Sequence, residues 1–354
     1  MEFLKDLVVI DASSVLAGPS VGSFLAELGA HVIKIENKKT GGDVTRNWHT
    51  PIEEKNRISS YYAAINYKKE LVQLDLEKDI STFKEYLKNA DVLLTNFKKI
   101  DYQKFGIENS DLQQINTRLI HGRIKGFESD ENRVAYDVAL QAETGFMAMN
   151  GEQDGLPCKM PVALIDVLAA HQLKEGILLA LLKRVQSNNG SFVEVSLEKA
   201  ALSSLVNQAS YYLMTGQTPK RMGSKHPNIA PYGDIYWSND KKPFVLAIGS
   251  DTQFLKLASM FNSEKLNASH FLENTSRVEH RNDLNTELLK LFSDFEMHEL
   301  EKHFLNLNIP FGVIKDLPAV FESVYATQMI HTEEMEGTTT KRVKSIAFEI
   351  HNMI

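Results

Sequence analysis

Apolar runs alternate with amphipathic stretches along the first part of the chain. In LVVIDASSVLAGPSVGSFLAELGAHVIKIE, the pattern predicts a strand at residues 7–10, a helix at about 20–28 and a strand at 31–35. Both strands are continuous apolar runs, which is typical of a parallel sheet covered on both faces. The alternation continues through ELVQLDL, DVLLTNF and RLIHGRIKGF, and a further strand is predicted at 192–195. The pattern therefore predicts an α/β fold with a doubly wound, parallel, Rossmann-like sheet.

The amino-acid composition of the chain changes after residue 217. The stretch TPKRMGSKHPNIAPYGDIYWSNDKKPFVLAIG is rich in Pro, Gly and Lys and predicts a linker that leads into a hairpin. Short amphipathic helices follow, and NIPFGVIKDL returns to a strand-like run. We therefore predict a large domain at 1–224, a smaller α+β domain at 225–315 and a C-terminal segment at 316–354 that returns to the large domain.

Composition excludes several classes of protein. The 354 residues are 43% hydrophobic and 24% charged, and no apolar stretch approaches the ~18 residues that a membrane span requires. The net charge of −7 disfavours nucleic acid as a partner. The start, MEFLKDLVVIDASS, does not resemble a signal peptide, so we expect a cytoplasmic protein without a membrane partner. The single cysteine, Cys158, excludes an internal disulfide and a cysteine-based zinc cluster, and we expect no metal and no tightly bound cofactor.

One carboxylate interrupts a long apolar segment. Asp166 lies in PVALIDVLAA, which continues past HQ into the apolar run GILLALL. From spacing alone two interpretations are open. Asp166 either caps a helix predicted at 167–183, accepting hydrogen bonds from its free amides, or is a functional group kept in apolar surroundings.

A series of blocks identifies the family that the chain resembles. They are LAGPSVGSFLAELGAHVIKIE, GGDVTR, AINYKKELVQLDL, DVLLTNF, AYDVALQAETG, PVALIDVLAAHQLKEGILLALLKR, MGSKHPNIAPY and NIPFGVIKDL. In this order, from residue 4 to about 330, they resemble the family III coenzyme A transferases, which include formyl-CoA transferase and carnitine CoA-transferase. The resemblance makes 1–224 the CoA-binding and catalytic domain. It also implies a homodimer of two interlocked, ring-like chains, with acyl-CoA and small carboxylic acids as substrates.

The resemblance assigns Asp166 the catalytic role. In this family an aspartate just before the long apolar helix carries the acyl group, and Asp166 occupies that position. Its carboxylate would attack a thioester to form a mixed anhydride and then an aspartyl-CoA thioester. Both intermediates are open to hydrolysis, so the apolar surroundings of Asp166 suit a site that excludes water.

The resemblance also implies the residues that contact CoA. Two departures from the family pattern affect this set: Asn37 replaces a usual arginine, and NFKKI lacks the usual Pro-Gly turn, so that Lys98 or Lys99 could replace an arginine. The predicted CoA contacts are Leu16 and Ala17 in the first βα loop, Lys38, Asn66, Lys69, Asn96, Lys98 and Lys125.

The predicted contacts to the acyl group come from two later blocks. AYDVALQAETG contributes Tyr136 and Asp137, and MGSKHPNIAPY contributes Gly223, Ser224 and His226. The second block lacks the glycine run of formyl-CoA transferase and resembles relatives that act on larger organic acids, including dicarboxylates. Glu143 is either an acid near the site or a surface glutamate.

Three other functions are weighed against the transferase. In the α-methylacyl-CoA racemase branch, a histidine precedes the second aspartate; here Tyr136 does, and its ordinary pKa of about 10 makes it a poor base. A nicotinamide-dependent dehydrogenase would need the G-x-G-x-x-G loop, but DASSVLAGP has one glycine. A non-catalytic CoA-binding relative stays open because of the divergent NFKKI loop and a tail after KSIAF that is shorter than is usual in the family.

Overall fold

A parallel sheet of six strands organises the larger part of the chain. The computed structural model describes residues 3–130, 132–261 and 263–353. The strand order is β3-β2-β1-β4-β5-β6. The strands are β1 (Val8–Asp11), β2 (His31–Asn37), β3 (Lys69–Leu74), β4 (Val92–Thr95), β5 (Ile120–Lys125) and β6 (Ser191–Ser196). The predicted α/β fold with a parallel sheet is confirmed, and the strands predicted at 7–10, 31–35 and 192–195 match β1, β2 and β6 to within two residues.

The strand order reverses direction at the centre of the sheet. β1 pairs with β2 on one side and with β4 on the other, and Val9 lies opposite both Val32 and Val92. β2 and β3 lie on one side of β1, and the chain then crosses to the other side of β1, where β4 lies. In α/β sheets, ligands bind outside the carboxyl ends of the strands at such a reversal.

Helices cover both faces of this sheet. The first helix starts at Ala17, earlier than predicted, because Pro19 is favoured in a first turn and Gly18 lets the helix approach Ser13 closely. An added Cβ at Gly18 would lie 2.3 Å from the Ser13 hydroxyl oxygen. The helices of this region are α1 (Ala17–Glu27), α2 (Ser60–Ala64), α3 (Ile80–Lys88), α4 (Lys99–Phe105), α5 (Asn109–Ile115), α6 (Asp137–Glu143), α8 (Leu164–Ser187), α9 (Leu197–Ser203) and α10 (Val206–Thr215). The short α7 (Phe146–Met149) follows α6, and its last three residues belong to the second unit described below.

Two apolar cores lie on the two faces of the sheet. Successive residues of a strand point to opposite faces, so Val9 joins one core and Ile10 the other. The first core contains side chains of α1, α8 and α9, and the second contains side chains of α3, α4 and α5. This burial on both sides explains why the strands are continuous apolar runs.

Contacts between residues divide the chain into two units. Unit 1 contains Met1–Phe146, Lys159–Gln217 and Tyr325–Ile354, and unit 2 contains Met147–Cys158 and Thr218–Val324. The boundary at residue 217 coincides with the change in amino-acid composition noted in the sequence. Residues 147–158, which the sequence assigned to the large domain, group with unit 2 because Arg221 donates hydrogen bonds to the carbonyls of Ala148 and Gly155.

The C-terminal part of unit 1 is a hairpin with its own strand pair. After α16 (Val324–Gln328), β10 (Ile330–Met335) pairs in antiparallel fashion with β11 (Thr338–Val343). Arg342 on β11 forms a buried ion pair with Glu27 at the end of α1. The hairpin is thereby attached to the first helix.

Unit 2 is an α+β unit with its own aromatic core. Its antiparallel sheet has the order β7-β8-β9, and Phe244 on β8 packs with its ring centroid 5.1 Å from that of Phe292. The elements are β7 (Tyr232–Trp237), β8 (Pro243–Ala247), α11 (Asp251–Met260), α12 (Asn274–Glu279), α13 (Arg281–Phe292), α14 (Met297–Leu307), β9 (Phe311–Val313) and α15 (Leu317–Phe321). In the described part of the chain, no helix combines the length and apolar character needed to cross a membrane.

Candidate active site

Asp166 lies in the first turn of the longest helix. α8 begins at Leu164, and its N-cap is Ala163, whose side chain provides no capping hydrogen bond. Asp166 is therefore the third residue of α8 and neither precedes the helix nor caps it, so the capping interpretation is wrong. Ile165 and Ala169 on either side of it are fully buried in the core shared with α1 and α9.

The carboxylate of Asp166 lacks the contacts that stabilise most buried charges. Its residue is 8% exposed, and it makes no hydrogen bond to any residue that the structure describes. Burial and, secondarily, the negative charge of Asp137 raise the pKa of Asp166 from its ordinary 3.8 to about 7. These two effects outweigh the favourable field at a helix N-terminus. A carboxylate with a raised pKa is a stronger nucleophile and base than an ordinary aspartate.

Asp137 supplies the capping hydrogen bond that Ala163 cannot. The carboxylate of Asp137, the first residue of α6, accepts a hydrogen bond from the backbone N–H of Ile165 at 2.7 Å. It also accepts one from the side-chain amide of Gln141 at 2.6 Å, and Gln141 in turn accepts one from the backbone N–H of Met160 at 2.8 Å. Asp137 thus holds the turn that carries Asp166.

Three aromatic side chains form a cluster in the same unit. The ring of Trp48 lies edge-on to Tyr61 with centroids 4.9 Å apart and is 6.5 Å from Tyr136. Burial, together with the charges of Asp166, Asp137 and Asp43, raises the pKa of Tyr61 to about 12, so that its hydroxyl stays protonated and can donate a hydrogen bond. The sequence analysis included Tyr136 but missed Trp48 and Tyr61. Their only sequence signal is their position, with Trp48 just after the GGDVTR block and Tyr61 just before the AINYKKELVQLDL block.

A cleft of about 690 Å³ opens at the carboxyl ends of β1 to β4. It lies at the reversal of strand order, and its volume is typical of a small-molecule site. Ser13 and Ser14 line it from the loop after β1, and Asn96 lines it from the loop after β4. Lys39, Lys98 and Lys104 add positive charge to the walls.

The loop after β1 is held tightly between its neighbours. Asn96 accepts a hydrogen bond from the backbone N–H of Ser14 at 3.0 Å and donates one to its carbonyl at 2.9 Å. Asp43 accepts a hydrogen bond from the backbone N–H of Val15 at 3.1 Å. Val15 has a φ of 71°, which is strained for a β-branched residue. The loop is thus fixed in one conformation just before Leu16 and Ala17, the predicted CoA contacts at the start of α1.

Two predicted CoA contacts lie inside the protein. The ammonium group of Lys69 is buried and donates to Asp11 at 2.7 Å, to the carbonyls of Pro19 and Ile65, and to Asn66. Burial lowers the pKa of Lys69 to about 8, against the opposing effect of Asp11. Asn66 is also buried and donates to the carbonyl of Tyr62. Lys69 thus joins Asp11 at the end of β1 to Pro19 in α1, and Asn66 accepts a hydrogen bond from Lys69. Contact with CoA stays a prediction for both residues.

The remaining predicted lysines differ in their surroundings. Lys38 and Lys98 are exposed, and Lys98 lines the cleft at the start of α4. Lys125 at the end of β5 is largely buried and forms ion pairs with Glu194 at 3.0 Å and with Glu128 at 3.3 Å. Two carboxylates therefore neutralise Lys125, whereas Lys98 presents its charge at the cleft.

Two lysines at the cleft share one carboxylate, and the sequence analysis missed the second of them, Lys104. Lys39 lies 2.7 Å from the carboxylate of Glu77, and Lys104 forms an ion pair with the same carboxylate. Hydrogen bonds from Lys104 and Lys39 lower the pKa of Glu77 to about 2. Lys39 and Lys104 are 65 residues apart in the sequence, so periodicity alone could not have brought them together.

Gly223, Ser224 and His226 belong to unit 2. Gly223 has a φ of 62°, and the Ser224 hydroxyl donates to the carbonyl of Gly233 at 2.6 Å. The ring of His226 lies 5.1 Å from that of Tyr232, and its Nδ1 accepts a hydrogen bond from the backbone N–H of Asn228. These contacts shape a loop within unit 2, and the approach of this loop to the acyl group stays a prediction.

Two other candidates lie on the surface. Glu143 is exposed and paired with Arg133 at 2.5 Å, which favours the surface interpretation. The Cys158 thiol is exposed and lies 3.5 Å from the side-chain amide of Asn150.

The fold and the site define an α/β enzyme with a buried, unneutralised carboxylate at a helix start and a nucleotide-sized cleft at the reversal of its sheet. The chain belongs to CoA-transferase family III, whose sequence profile matches residues 4–352. It is therefore a CoA-transferase. The resemblance stated from its sequence blocks is confirmed.

Individual relatives agree with this assignment. The chain is 34% identical to a succinate–glutarate CoA-transferase of Agrobacterium fabrum, over 81% of this chain and 74% of that protein. It is 32% identical to an acetyl-CoA:oxalate CoA-transferase of Acetobacter aceti, over 88% of this chain and 80% of the relative. A crystal structure of a CaiB/BaiF family protein from Brucella suis matches with a TM-score of 0.83 and 31% identity, and the match covers 97% of this chain and 91% of that one.

Proposed function

We propose that this enzyme transfers CoA between carboxylic acids and that Asp166 carries the acyl group. The observation that supports this role is the state of Asp166: a buried carboxylate without a cation or hydrogen-bond partner among the described residues, with its pKa raised to about 7. Structural carboxylates are normally neutralised. A reactive group, in contrast, gains from being poorly solvated.

The reaction needs no group beyond the two substrates and Asp166. The carboxylate attacks the thioester carbonyl of acyl-CoA, the C–S bond breaks, and CoA leaves as a thiolate while a mixed anhydride forms. The thiolate then attacks the aspartyl carbonyl and expels the donor acid as its carboxylate, which leaves an aspartyl-CoA thioester. The acceptor carboxylate repeats these steps in reverse. No proton, electron or water is consumed overall.

We assign the nucleotide part of CoA to the cleft at the sheet reversal. Its volume, its position outside β1 to β4 and the lysines Lys39, Lys98 and Lys104 support this assignment. Lys38 is exposed next to Lys39 and provides a further cation. The pantetheine arm would follow the fixed loop toward Leu16 and Ala17, since α1 packs against α8, the helix that carries Asp166.

Short dicarboxylic acids are the proposed substrates. The relatives named for succinate, glutarate and oxalate support this class, and relatives from Haloarcula are named for mesaconate. On the protein side, the hydroxyls of Tyr61 and Tyr136 are donors that could receive a second carboxylate. A panel of dicarboxylic acids against succinyl-CoA, with CoA exchange read by mass spectrometry, tests the class. Exchange with monocarboxylic acids alone would contradict it.

The active form is proposed to be a homodimer. Large apolar side chains on two helices of unit 1 are exposed in the single chain, including Leu182 and Val185 on α8 and Leu213 and Met214 on α10, all between 66% and 85% exposed. Contiguous exposed apolar surface favours association. Light scattering tests this proposal, and Leu182→Glu with Leu213→Glu should yield monomers. The interlocked arrangement stays a prediction from the family, and the cytoplasmic location stays a prediction from the sequence.

The decisive test replaces Asp166. Asp166→Ala and Asp166→Asn are expected to lower the rate of CoA exchange by about a thousandfold or more. Wild type incubated with acyl-CoA should form an adduct on Asp166 that hydroxylamine removes, and the variants should not. Glu175→Gln, an exposed carboxylate on the same helix, is the matched control and should keep wild-type activity.

Other outcomes of this test identify other functions. Exchange at the native rate by a folded Asp166→Ala dimer would refute the mechanism. Solvent deuterium at the α-carbon of an acyl-CoA without CoA exchange would indicate a racemase, which would have to act with Tyr136 in the place of the usual histidine. Binding of CoA without adduct or exchange would indicate a non-catalytic relative.

A further inference from the structure

Asp137 occupies an unusual position between two helices. It begins α6, and its two carboxylate oxygens accept one hydrogen bond each: one from the backbone N–H of Ile165 at the start of α8, and one from the side-chain amide of Gln141 on α6 itself. Asp137 therefore uses both of its carboxylate oxygens as hydrogen-bond acceptors. Only 8% of the residue is exposed. A side chain engaged in this way is a poor candidate for direct contact with substrate, which is the role that the family resemblance implied.

Gln141 connects Asp137 to the backbone at Met160. Its side chain is fully buried, donates to Asp137 and accepts from the backbone N–H of Met160. The pair therefore fixes the backbone at Met160, before the turn, and at Ile165, directly before Asp166. A displacement of a nucleophile by even one ångström lowers reactivity strongly, so this double attachment bears on catalysis.

We propose that Asp137 is a positioning residue, which holds the turn that carries Asp166 and supplies a fixed negative charge that favours the neutral, acylated form of Asp166. This inference rests on the proposed role of Asp166 as acyl carrier. When Asp166 attacks the thioester, its negative charge leaves with the CoA thiolate, and the aspartyl group becomes a neutral anhydride. Repulsion from Asp137 acts on the free carboxylate and vanishes in the neutral intermediates.

Asp137 is the charged group that acts on Asp166 among the described residues. Tyr61 on α2 adds no charge at neutral pH, because burial and the nearby carboxylates raise its pKa to about 12. The elements packed against α8 contribute apolar side chains, namely Val21 and Phe24 of α1 and Ala200 and Ala201 of α9. Their charged side chains form ion pairs with other residues: Glu27 of α1 pairs with Arg342, and Arg123 and Lys125 of β5 pair with Glu194 of β6. On α8 itself, His171 and Lys174 lie more than a turn beyond Asp166, and Lys174 interacts with Glu27.

The chain offers a pair of variants that separate position from charge. In Asp137→Asn, the amide oxygen still accepts from Ile165, but the new amino group faces the amino group of Gln141. In the double variant Asp137→Asn with Gln141→Glu, the introduced glutamate accepts hydrogen bonds from both the introduced asparagine amide at position 137 and the Met160 N–H. The double variant therefore keeps every hydrogen bond and moves the charge one side chain away from Asp166.

The test compares three readouts: melting temperature, the pH profile of kcat/KM, and the fraction of enzyme trapped as covalent adduct by mass spectrometry. The single variant should melt lower than wild type, and the double variant should recover most of that loss. Both variants should show the acid limb of kcat/KM moved down by about one pH unit and the adduct fraction reduced by about fivefold. Wild-type acid limbs and adduct fractions in both variants would overturn the inference. So would a double variant that returns all three readouts to wild type, since that result indicates a purely structural role.

Asp166→Asn separates this inference from the proposed function. If wild type forms no adduct, or if the adduct persists in Asp166→Asn, the acyl-carrier role of Asp166 fails irrespective of Asp137. If the adduct maps to Asp166 but does not respond to either Asp137 variant, only the inference about Asp137 fails.

Discussion

Asp11 and Asp166 are buried in the same unit and have opposite properties. Asp11, at the end of β1, lies 2.7 Å from the ammonium group of Lys69 and 3.8 Å from that of Lys34. Burial alone would raise the pKa of Asp11, but the charges of Lys34 and Lys69 hold it at about 2. Asp166 has no such partner in the described chain, and its pKa rises to about 7. Burial makes a carboxylate structural where cations neutralise it and reactive where they do not.

The largest effect is expected from removing a cation beside Asp11, the neutralised carboxylate. Lys69→Met removes a cation from a fully buried carboxylate, so we expect the free energy of unfolding to fall by about 3 kcal/mol. Urea denaturation at neutral pH measures it. The double variant Asp11→Asn with Lys69→Met removes both charges and should recover most of the loss. A decrease of less than about 1 kcal/mol in the free energy of unfolding of Lys69→Met would show that the buried carboxylate of Asp11 does not need the cation of Lys69.

At Asp166, removing the charge should instead raise the free energy of unfolding. Its pKa in the folded protein lies above its unfolded value, so the native state holds more protons than the unfolded chain between about pH 4 and 7, and stability falls as pH rises through that window. Asp166→Asn removes this cost and should raise the free energy of unfolding at pH 8 by on the order of 2 kcal/mol. The gain should fade toward pH 4. A destabilised variant at pH 8 would contradict the raised pKa.

The rate of the wild-type enzyme should report the same ionisation. In the proposed mechanism only the carboxylate form of Asp166 attacks a thioester, so log kcat/KM should fall with decreasing pH below about 7, with a limiting slope of about one per pH unit. A stopped assay with an acyl-CoA of constant charge measures it. An acid limb centred near pH 4 would show that Asp166 behaves as an ordinary aspartate in solution.

The smallest expected effect concerns the exposed carboxylate at the cleft. Glu77 forms ion pairs with Lys39 and Lys104, and a CoA phosphate bound at the proposed site would compete with it for these cations. Glu77→Gln should lower KM for acyl-CoA by about twofold to fivefold and make it more sensitive to salt. Glu85→Gln, which removes an exposed carboxylate on α3 that pairs with Lys88 and does not line the cleft, is the control. An unchanged KM would remove Lys39 and Lys104 from the proposed CoA site.

Much of the fold could be predicted from local patterns. The continuous apolar runs at β1, β2 and β6 identified buried parallel strands, because burial on both faces removes the alternation that a half-exposed strand shows. The start of α8 was misplaced by three residues, from 167 to Leu164, because its capping group is not a neighbour in sequence. Asp137 caps it from 28 residues away.

The site was predictable only in part. The sequence blocks placed Asp166 at the right helix, and they named Asn96 and Lys98, which line the cleft. They also named Asn66 and Lys69, which lie buried beneath the loop, and missed Trp48, Tyr61 and Lys104. A block records which residue types recur in order, and it does not record which way a side chain points.

The sequence by itself determined the alternation of strands and helices, the family, and the presence of one carboxylate in an apolar run. Only the tertiary structure decided that Asp11 meets lysines of two neighbouring strands, that Asp166 meets none among the described residues, and that Asp137 both caps α8 and repels Asp166. The physical reason is that the ionisation of a buried group depends on charges within a few ångströms of it. Residues brought that close by a parallel sheet are far apart in the chain.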